Sequence, residues 1–128
     1  FALMGISAAR MHHVTPRAVG VAVVAAPRRR KTIELTDRRA AVRFLVRDLE
    51  VMDLELMETD LGRCLVTTPE QTLLDLSHRA GQRGLTEDVA AAMRALAPLC
   101  DPEELEVIAG RQRLGRALGR LRREGLVP

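Results

Sequence analysis

Residues 65–79 read LVTTPEQTLLDLSHR and separate two halves of the chain that differ in character. A helix start is strongly indicated at Thr68, whose hydroxyl can accept a hydrogen bond from the backbone amide three residues later. Pro69 suits the first helical position, because an amide hydrogen there has no partner within the helix. We expect Gln71 to complete a capping box by bonding back to the amide of Thr68. The leucines that follow supply a buried stripe, and Gly81 is expected to end this helix.

Two further helix starts follow in the C-terminal half. Thr86 precedes two acidic residues, which are favourable at the positive end of a helix. Asp101 and Pro102 again combine a capping side chain with a proline in the first turn. A fourth helix, or a continuation of the third past Gly110, is predicted around residues 114–121.

The N-terminal half is predicted to contain one short helix and several strands. Residues 6–14 have apolar positions at helical spacing, and Ser7 is the expected cap. Residues 19–26 form a short apolar run that is typical of a strand buried on both faces. An alternation of polar and apolar residues predicts a second strand over residues 32–36. We expect these two strands to pair as a hairpin, with the basic residues 28–31 at its tip.

A third strand is indicated by residues 40–48, AAVRFLVRD. Alternation places two sets of side chains on opposite faces of such a strand. One set is Val42, Phe44 and Val46, and the other is Arg43, Leu45 and Arg47. Shorter strands are predicted around residues 55–59 and 63–67.

Strands therefore precede helices along the chain, which argues for an α+β fold and against a doubly wound parallel sheet. We expect a short N-terminal helix, a small mixed or antiparallel sheet, and then three to four C-terminal helices. The length fits a single domain over residues 1–128. Because no stretch is long and apolar enough for a transmembrane helix and no signal peptide is indicated, we expect a cytoplasmic protein with no membrane partner.

The charges are unevenly distributed along the chain. Residues 1–48 carry a net charge of +7, residues 49–110 of −9 and residues 111–128 of +5. This pattern favours a polar partner or self-complementary association, although ordinary solvated faces would also produce it. The absence of Tyr and Trp excludes an aromatic platform for single-stranded nucleic acids. Two cysteines without CxxC spacing favour a reducing compartment.

The sequence contains none of the usual motifs for a nucleophile, a metal centre or a phosphate-binding loop. We therefore expect no enzyme activity, no catalytic residue, no metal and no cofactor. Asp48, Asp53 and Glu55 leave open one alternative, a nuclease-like metal-dependent enzyme. A restriction-like nuclease would also need an acid two residues before a lysine, and Arg29 occupies that position before Lys31, the only lysine.

Basic side chains are the remaining candidates for a binding site. Contacts with DNA phosphates are expected from two groups of them, with solubilising charge as the other explanation. The candidates are Arg28, Arg29, Arg30 and Lys31 in the first group, and Arg113, Arg116, Arg120 and Arg123 on one predicted helix face in the second. Gly115 and Gly119 form a GxxxG pattern that suggests a close helix contact, so a homodimer and a structural dimerisation module are further hypotheses.

Three segments resemble the AbiEi family of antitoxins from bacterial toxin–antitoxin and abortive-infection systems. They are ALMGISAARMHH at residues 2–13, VAVVAAPRRR at residues 21–30 and LVTTPEQTLLDLSHR at residues 65–79. The last segment is close to the family pattern V-T-[ST]-P-E-[RQ]-T-[LV]-L-D-L.

The resemblance implies a C-terminal antitoxin domain that counteracts a nucleotidyltransferase-type toxin, directly or functionally, and assists autoregulation of its operon. Relatives carry an N-terminal winged helix–turn–helix that binds the operator, and we expect this chain to lack it. If the two basic groups contact DNA phosphates, which position a protein without reading sequence, we expect this domain alone to bind duplex DNA weakly and without sequence preference. The resemblance implies no catalytic residues in this chain.

Overall fold

The computed structural model describes residues 1–14, 21–35, 40–59 and 62–128. The strands and one short helix come first along the chain and the other helices follow, which confirms the predicted α+β class. The elements are β1 (Ala2–Leu3), α1 (Gly5–Met11), β2 (Val21–Ala26), β3 (Ile33–Leu35), β4 (Ala40–Val46), β5 (Leu54–Thr59), β6 (Gly62–Thr67), α2 (Pro69–Arg83), α3 (Glu87–Leu96), a 3₁₀ turn (Ala97–Leu99), α4 (Pro102–Gln112) and α5 (Gly115–Arg123). The first two residues of the strand predicted over 19–26, and the last residue of the strand predicted over 32–36, lie outside the described residues.

The strands form one mixed sheet in the order β3-β4-β2-β1-β6-β5. The pairs β2–β4 and β1–β6 are parallel, and the other neighbours are antiparallel. The predicted hairpin between β2 and β3 is therefore wrong, because β4 lies between these strands. The length of the pairing explains why β4, and not β3, lies next to β2. The strand β4 pairs with all six residues of β2 from Val21 to Ala26, whereas β3 is only three residues long.

The two faces of β4 differ as the alternation predicted. Arg47 points towards the helices, where its Nη1 donates to Asp75 Oδ1 of α2 over 3.0 Å. Leu45 packs on the same side against a small core that includes Met4 and Met52. On the other face Val46 is 59% exposed. The strand thus turns its arginines inward, towards the helical layer.

The prediction that β2 is buried on both faces holds only at its C-terminal end. Ala25 and Ala26 are fully buried, whereas Val21 is 43% exposed and the valines between them are half-buried. On the outer face of the neighbouring strand β4, the ring of Phe44 lies 6.0 Å from that of Phe1, which is 55% exposed. This face of the sheet therefore keeps apolar side chains in contact with solvent.

The start of α2 is confirmed at Thr68, whose Oγ1 accepts from the amide of Gln71 over 3.3 Å. The reciprocal half of the capping box is wrong, because the amide of Thr68 donates instead to the carbonyl of Asp53. Gly81 does not end the helix either. The helix continues to Arg83 and ends at Gly84, which has a positive φ of 87° that favours glycine.

The starts of α3 and α4 are confirmed at Thr86 and Asp101, whose side chains accept from the amides of Val89 and Glu103. The helix α4 passes through Gly110 and ends at Arg113, which adopts the left-handed conformation. A single glycine inside a helix costs only about 1 kcal/mol, so packing can override it.

The predicted cap of α1 is wrong. Ser7 lies inside the helix, which begins at Gly5 after Met4. The Oγ of Ser7 accepts from the amide of Val23 over 2.8 Å and so ties α1 to β2. The strand β1, with two residues, is too short to give a pattern in the sequence.

The main core lies among the helices, with α2 at its centre. This helix packs against α1, α3, α4 and α5. Its buried leucines meet apolar side chains of the surrounding helices, namely Ala9, Met93, Leu96, Leu105, Ile108, Leu118 and Leu121. Among the described residues, no helix combines the length and the apolar character that crossing a bilayer requires.

A buried polar network joins this helical layer to the sheet. Gln71 of α2 and Gln112 of α4 form two reciprocal amide hydrogen bonds of 2.6 and 2.9 Å. Gln112 also donates to the carbonyl of Val51, and its Oε1 accepts from Arg47, which directly follows β4. Gln71 donates to Asp75 one turn along α2. The side-chain amide of each glutamine therefore forms hydrogen bonds with polar groups from several parts of the fold.

We predict that Thr68→Ala lowers the free energy of unfolding by about 1–2 kcal/mol, the usual range for a lost N-cap. The hydroxyl also donates to Asp53 Oδ2 over 2.6 Å, so the substitution loosens the segment before β5 as well. Chemical denaturation measures the change, and Thr68→Ser, which retains the oxygen, is the control. An unchanged midpoint for Thr68→Ala would contradict this account of the helix start.

We predict that Gln112→Met, which conserves length and removes the amide, costs about 1–3 kcal/mol because it leaves buried polar groups without partners. The matched control is Gln82→Met on the exposed surface of α2, where a change within about 0.5 kcal/mol is expected. Equal denaturation midpoints for the two variants would show that the network does not hold α4 against the sheet.

Candidate anion-binding site

The first predicted group of basic residues forms an exposed segment, residues 28–31, which we call the basic segment. It is the connection from β2 to β3, not the tip of a hairpin, and it crosses the sheet edge where β2 and β4 both end. The guanidinium of Arg30 lies 4.6 Å from the centre of the Phe1 ring, an attractive cation–π contact. The remaining three cations of the segment are exposed to solvent.

The second predicted group does not form one face. Arg113 ends α4 and lies outside α5, so only Arg116, Arg120 and Arg123 share the α5 helix. Arg120 is half-buried and packs over Gly81 of α2, where a Cβ atom would collide with its guanidinium. Gly81, in the last turn of α2, thus leaves room for the Arg120 guanidinium. Arg116 and Arg123 remain exposed.

The GxxxG pattern is not used for packing within the chain. A Cβ atom built on Gly115 would meet no atom of the described residues within 4 Å, and one built on Gly119 would meet only the side chain of Arg123. Instead α5 contributes Ala117, Leu118 and Leu121 to the core. The homodimer that this pattern suggested stays a prediction.

The structure contains a cleft that the sequence did not reveal, with a volume of about 730 Å³. It lies between α2 and the helix-facing side of β2 and β4, and it is open to solvent. Its apolar floor includes Ile6, Val23, Leu45 and Leu76. Five arginines line it, which are Arg43, Arg47, Arg79, Arg83 and Arg113. We call this region the arginine cleft.

One end of the arginine cleft is neutralised internally. The carboxylate of Asp75 is buried and accepts from Arg47 and Gln71 through Oδ1, whereas the buried Oδ2 has no hydrogen-bond partner among the described residues. Burial raises the pKa of Asp75, and the positive charge of Arg47 opposes this shift. Arg47 is the only ion-pair partner of this carboxylate among the described residues.

The other end is a cluster of like charges. Burial lowers the pKa of Arg79, and the positive charges of Arg43 and Arg83 lower it further. Within the described ranges, no hydrogen bond or ion pair holds any of these three guanidiniums. In contrast, Arg122 on the opposite side of the helical layer is paired with Glu106 at 2.7 Å.

Two of the three acidic residues considered for a nuclease, Asp48 and Asp53, are used in local structure, and the third, Glu55, lies half-buried on β5. Asp53 accepts from the capping hydroxyl of Thr68, and Asp48 accepts from the amide of Glu50 in a turn. In the part of the chain that the structure describes, no three potential ligands from His, Cys, Asp and Glu come together. A metal-dependent enzyme would need these carboxylates as metal ligands. Asp53 and Asp48 instead accept hydrogen bonds within the local structure.

His12 and the two cysteines are likewise held or half-buried by the fold. His12 donates from Nε2 to the carbonyl of Thr67 over 2.8 Å. Burial raises the pKa of Cys100 to about 12, and its thiol donates to the carbonyl of Leu96. Such a thiol stays protonated at neutral pH and is a poor nucleophile. Cys64 is half-buried on β6.

Sequence reasoning missed the arginine cleft because its members come from distant segments. Arg79 and Arg83 belong to the part of the chain with a net charge of −9. Two local signals were nevertheless present. Arg43 and Arg47 alternate onto one face of a strand, and Arg79 and Arg83 have the four-residue spacing that places them on one face of a helix.

The comparison with known families agrees with these features. The AbiEi antitoxin C-terminal domain matches residues 1–123, nearly the whole chain. No curated protein gives a significant match. The family match covers the sheet, the helical layer and the arginine cleft together, and it confirms the resemblance seen in the sequence. The chain belongs to the AbiEi antitoxin C-terminal domain family.

Proposed function

We propose that residues 1–128 form a single antitoxin effector domain that counteracts a nucleotidyltransferase-type toxin in the bacterial cytoplasm. The observation that carries this proposal is the family match over residues 1–123. The domain acts by binding and has no catalysis of its own. Two features support this part of the proposal: Asp48 and Asp53 accept local hydrogen bonds, and the Cys100 thiol has a raised pKa.

We further propose that the domain assists autoregulation of its operon by contacting DNA phosphates. The basic segment supports this role, because it presents cations at one edge of the sheet without acidic partners among the described residues. Arg116 and Arg123 of α5 offer two more exposed cations. Contacts of this kind position a protein on a duplex and do not read its sequence. Operator choice would then come from elsewhere in the regulator.

The antitoxin role predicts that this chain restores growth when it is co-expressed with a cognate toxin of the nucleotidyltransferase type. Leu74→Asp places a charge at a fully buried position of α2 and should abolish rescue by unfolding the core. The matched control is Leu99→Asp, at a position that is 53% exposed, which should rescue like the wild type. Failure of the soluble wild-type chain to rescue growth would contradict the proposed role.

The DNA role predicts weak binding of duplex DNA, with a dissociation constant between about 1 μM and 0.1 mM near physiological salt. Replacing Arg28, Arg29 and Arg30 by Ala should weaken binding to all sequences alike. It should also reduce the slope of log affinity against log salt by about 0.9 for each phosphate that the protein no longer neutralises. Fluorescence anisotropy over a salt series measures both effects.

The control for this experiment replaces Arg63, Arg94 and Arg111, three exposed arginines on other elements, by Ala. It removes the same charge from the chain, so its slope should stay close to the wild-type value. Equal slopes for the wild type and the basic-segment variant would remove this segment from DNA binding and leave solubility as its role.

A further inference from the structure

The arginine cleft concentrates positive charge where the fold gains nothing from it. Arg43 and Arg79 are half-buried, and with Arg83 they repel one another without a described acidic partner. Like charges in a partly desolvated place destabilise the folded chain. A cluster of this kind is typical of a place where an anion supplies the missing charge.

The directions of β4 and α2, which form the two sides of the cleft, explain why its two ends differ in charge. Arg47 lies beside Asp75, whereas Arg43 lies near Arg79 and Arg83, so β4 and α2 run in opposite directions along the cleft. Four residues of a strand span about 13 Å, and eight residues of a helix span about 12 Å. The cleft thus has a neutral hydrogen-bonding end and a cationic end, with an apolar floor between them.

A phosphate group fits the cationic end better than a carboxylate does. Three guanidiniums carry more positive charge than one carboxylate neutralises, whereas a phosphate has nearly two negative charges and several acceptor oxygens. Guanidinium groups bind phosphate through paired, charge-assisted hydrogen bonds. The apolar floor, built by residues such as Val23, Leu45 and Leu76, provides room for an organic body beside that phosphate.

We propose that the arginine cleft binds a small organic phosphate of the nucleotide class, with the phosphates on Arg43, Arg79 and Arg83 and the organic part on the apolar floor. The volume of about 730 Å³ lies within the range of small-molecule sites. A concave site of this size suits a small molecule better than it suits a rigid duplex. This proposal does not depend on the antitoxin role or on DNA binding by the basic segment, so an experiment can contradict any one of the three without contradicting the others.

The test is isothermal titration calorimetry of the full chain with inorganic pyrophosphate, with adenosine, and with each of the four ribonucleoside triphosphates. We expect at least one triphosphate to bind more tightly than pyrophosphate, and adenosine to show no measurable binding. Binding should weaken as salt rises, because the contacts are ionic. If no triphosphate binds, or if pyrophosphate binds as tightly as the best triphosphate, the proposal is wrong.

Two variants locate the site. Arg79→Gln should weaken binding of the best triphosphate about tenfold or more, as expected for the loss of a charge-assisted hydrogen bond. The same variant should melt at a higher temperature than the wild type without ligand, since it relieves repulsion with Arg43 and Arg83. Arg94→Gln, on the exposed surface of α3, is the matched control and should change neither property.

Measuring both DNA affinity and triphosphate affinity for both variants distinguishes the cleft from the proposed DNA-binding surface. Arg79→Gln should leave duplex DNA affinity within about twofold, and the Arg28, Arg29 and Arg30 triple variant should leave triphosphate affinity unchanged. If Arg79→Gln weakens DNA binding as much as it weakens triphosphate binding, the cleft is part of a nucleic-acid surface and the proposal is overturned. If it weakens neither, the arginines of the cleft do not form the site.

Discussion

The reciprocal amide pair of Gln71 and Gln112 is the contact on which the arrangement of layers depends. The amide of Gln71 is buried and that of Gln112 is half-buried, and sliding α4 along α2 would break their hydrogen bonds of 2.6 and 2.9 Å. The same pair receives Arg47 from the sheet and binds the carbonyl of Val51. Helix packing alone is non-directional, whereas this network fixes which residues of β4 face α2.

This constraint also explains the segment that carries the family resemblance. In LVTTPEQTLLDL the polar residues serve the fold. Thr68 caps α2, Gln71 and Asp75 belong to the buried network, and Thr72 bonds to the hydroxyl and carbonyl of Thr67. Glu70 accepts from the amide of Asp101 and connects two helix starts. These polar residues of the segment are therefore structural, whereas Arg79 at its end belongs to the proposed binding cleft.

Local features of the fold could be predicted from the sequence, because their causes are local. The caps at Thr68, Thr86 and Asp101 and the alternation in β4 depend on neighbours within a few positions. Strand pairing could not be predicted in this way, since the position of β4 between β2 and β3 depends on partners distant in sequence. The hairpin hypothesis assumed that strands adjacent in sequence pair, and the longer match between β2 and β4 overrides it.

The same reasoning applies to the sites. The basic segment is contiguous in sequence and can be recognised there, whereas the arginine cleft unites Arg43 of a strand with Arg79 and Arg83 of a helix. We therefore propose different partners for the two basic regions, the exposed basic segment and the concave arginine cleft. Nuclear magnetic resonance of the labelled chain during titration with the best-binding ribonucleoside triphosphate tests this division most directly. The largest shift changes should fall on residues 43–47 and 75–83, and changes confined to residues 28–31 or to α5 would contradict it.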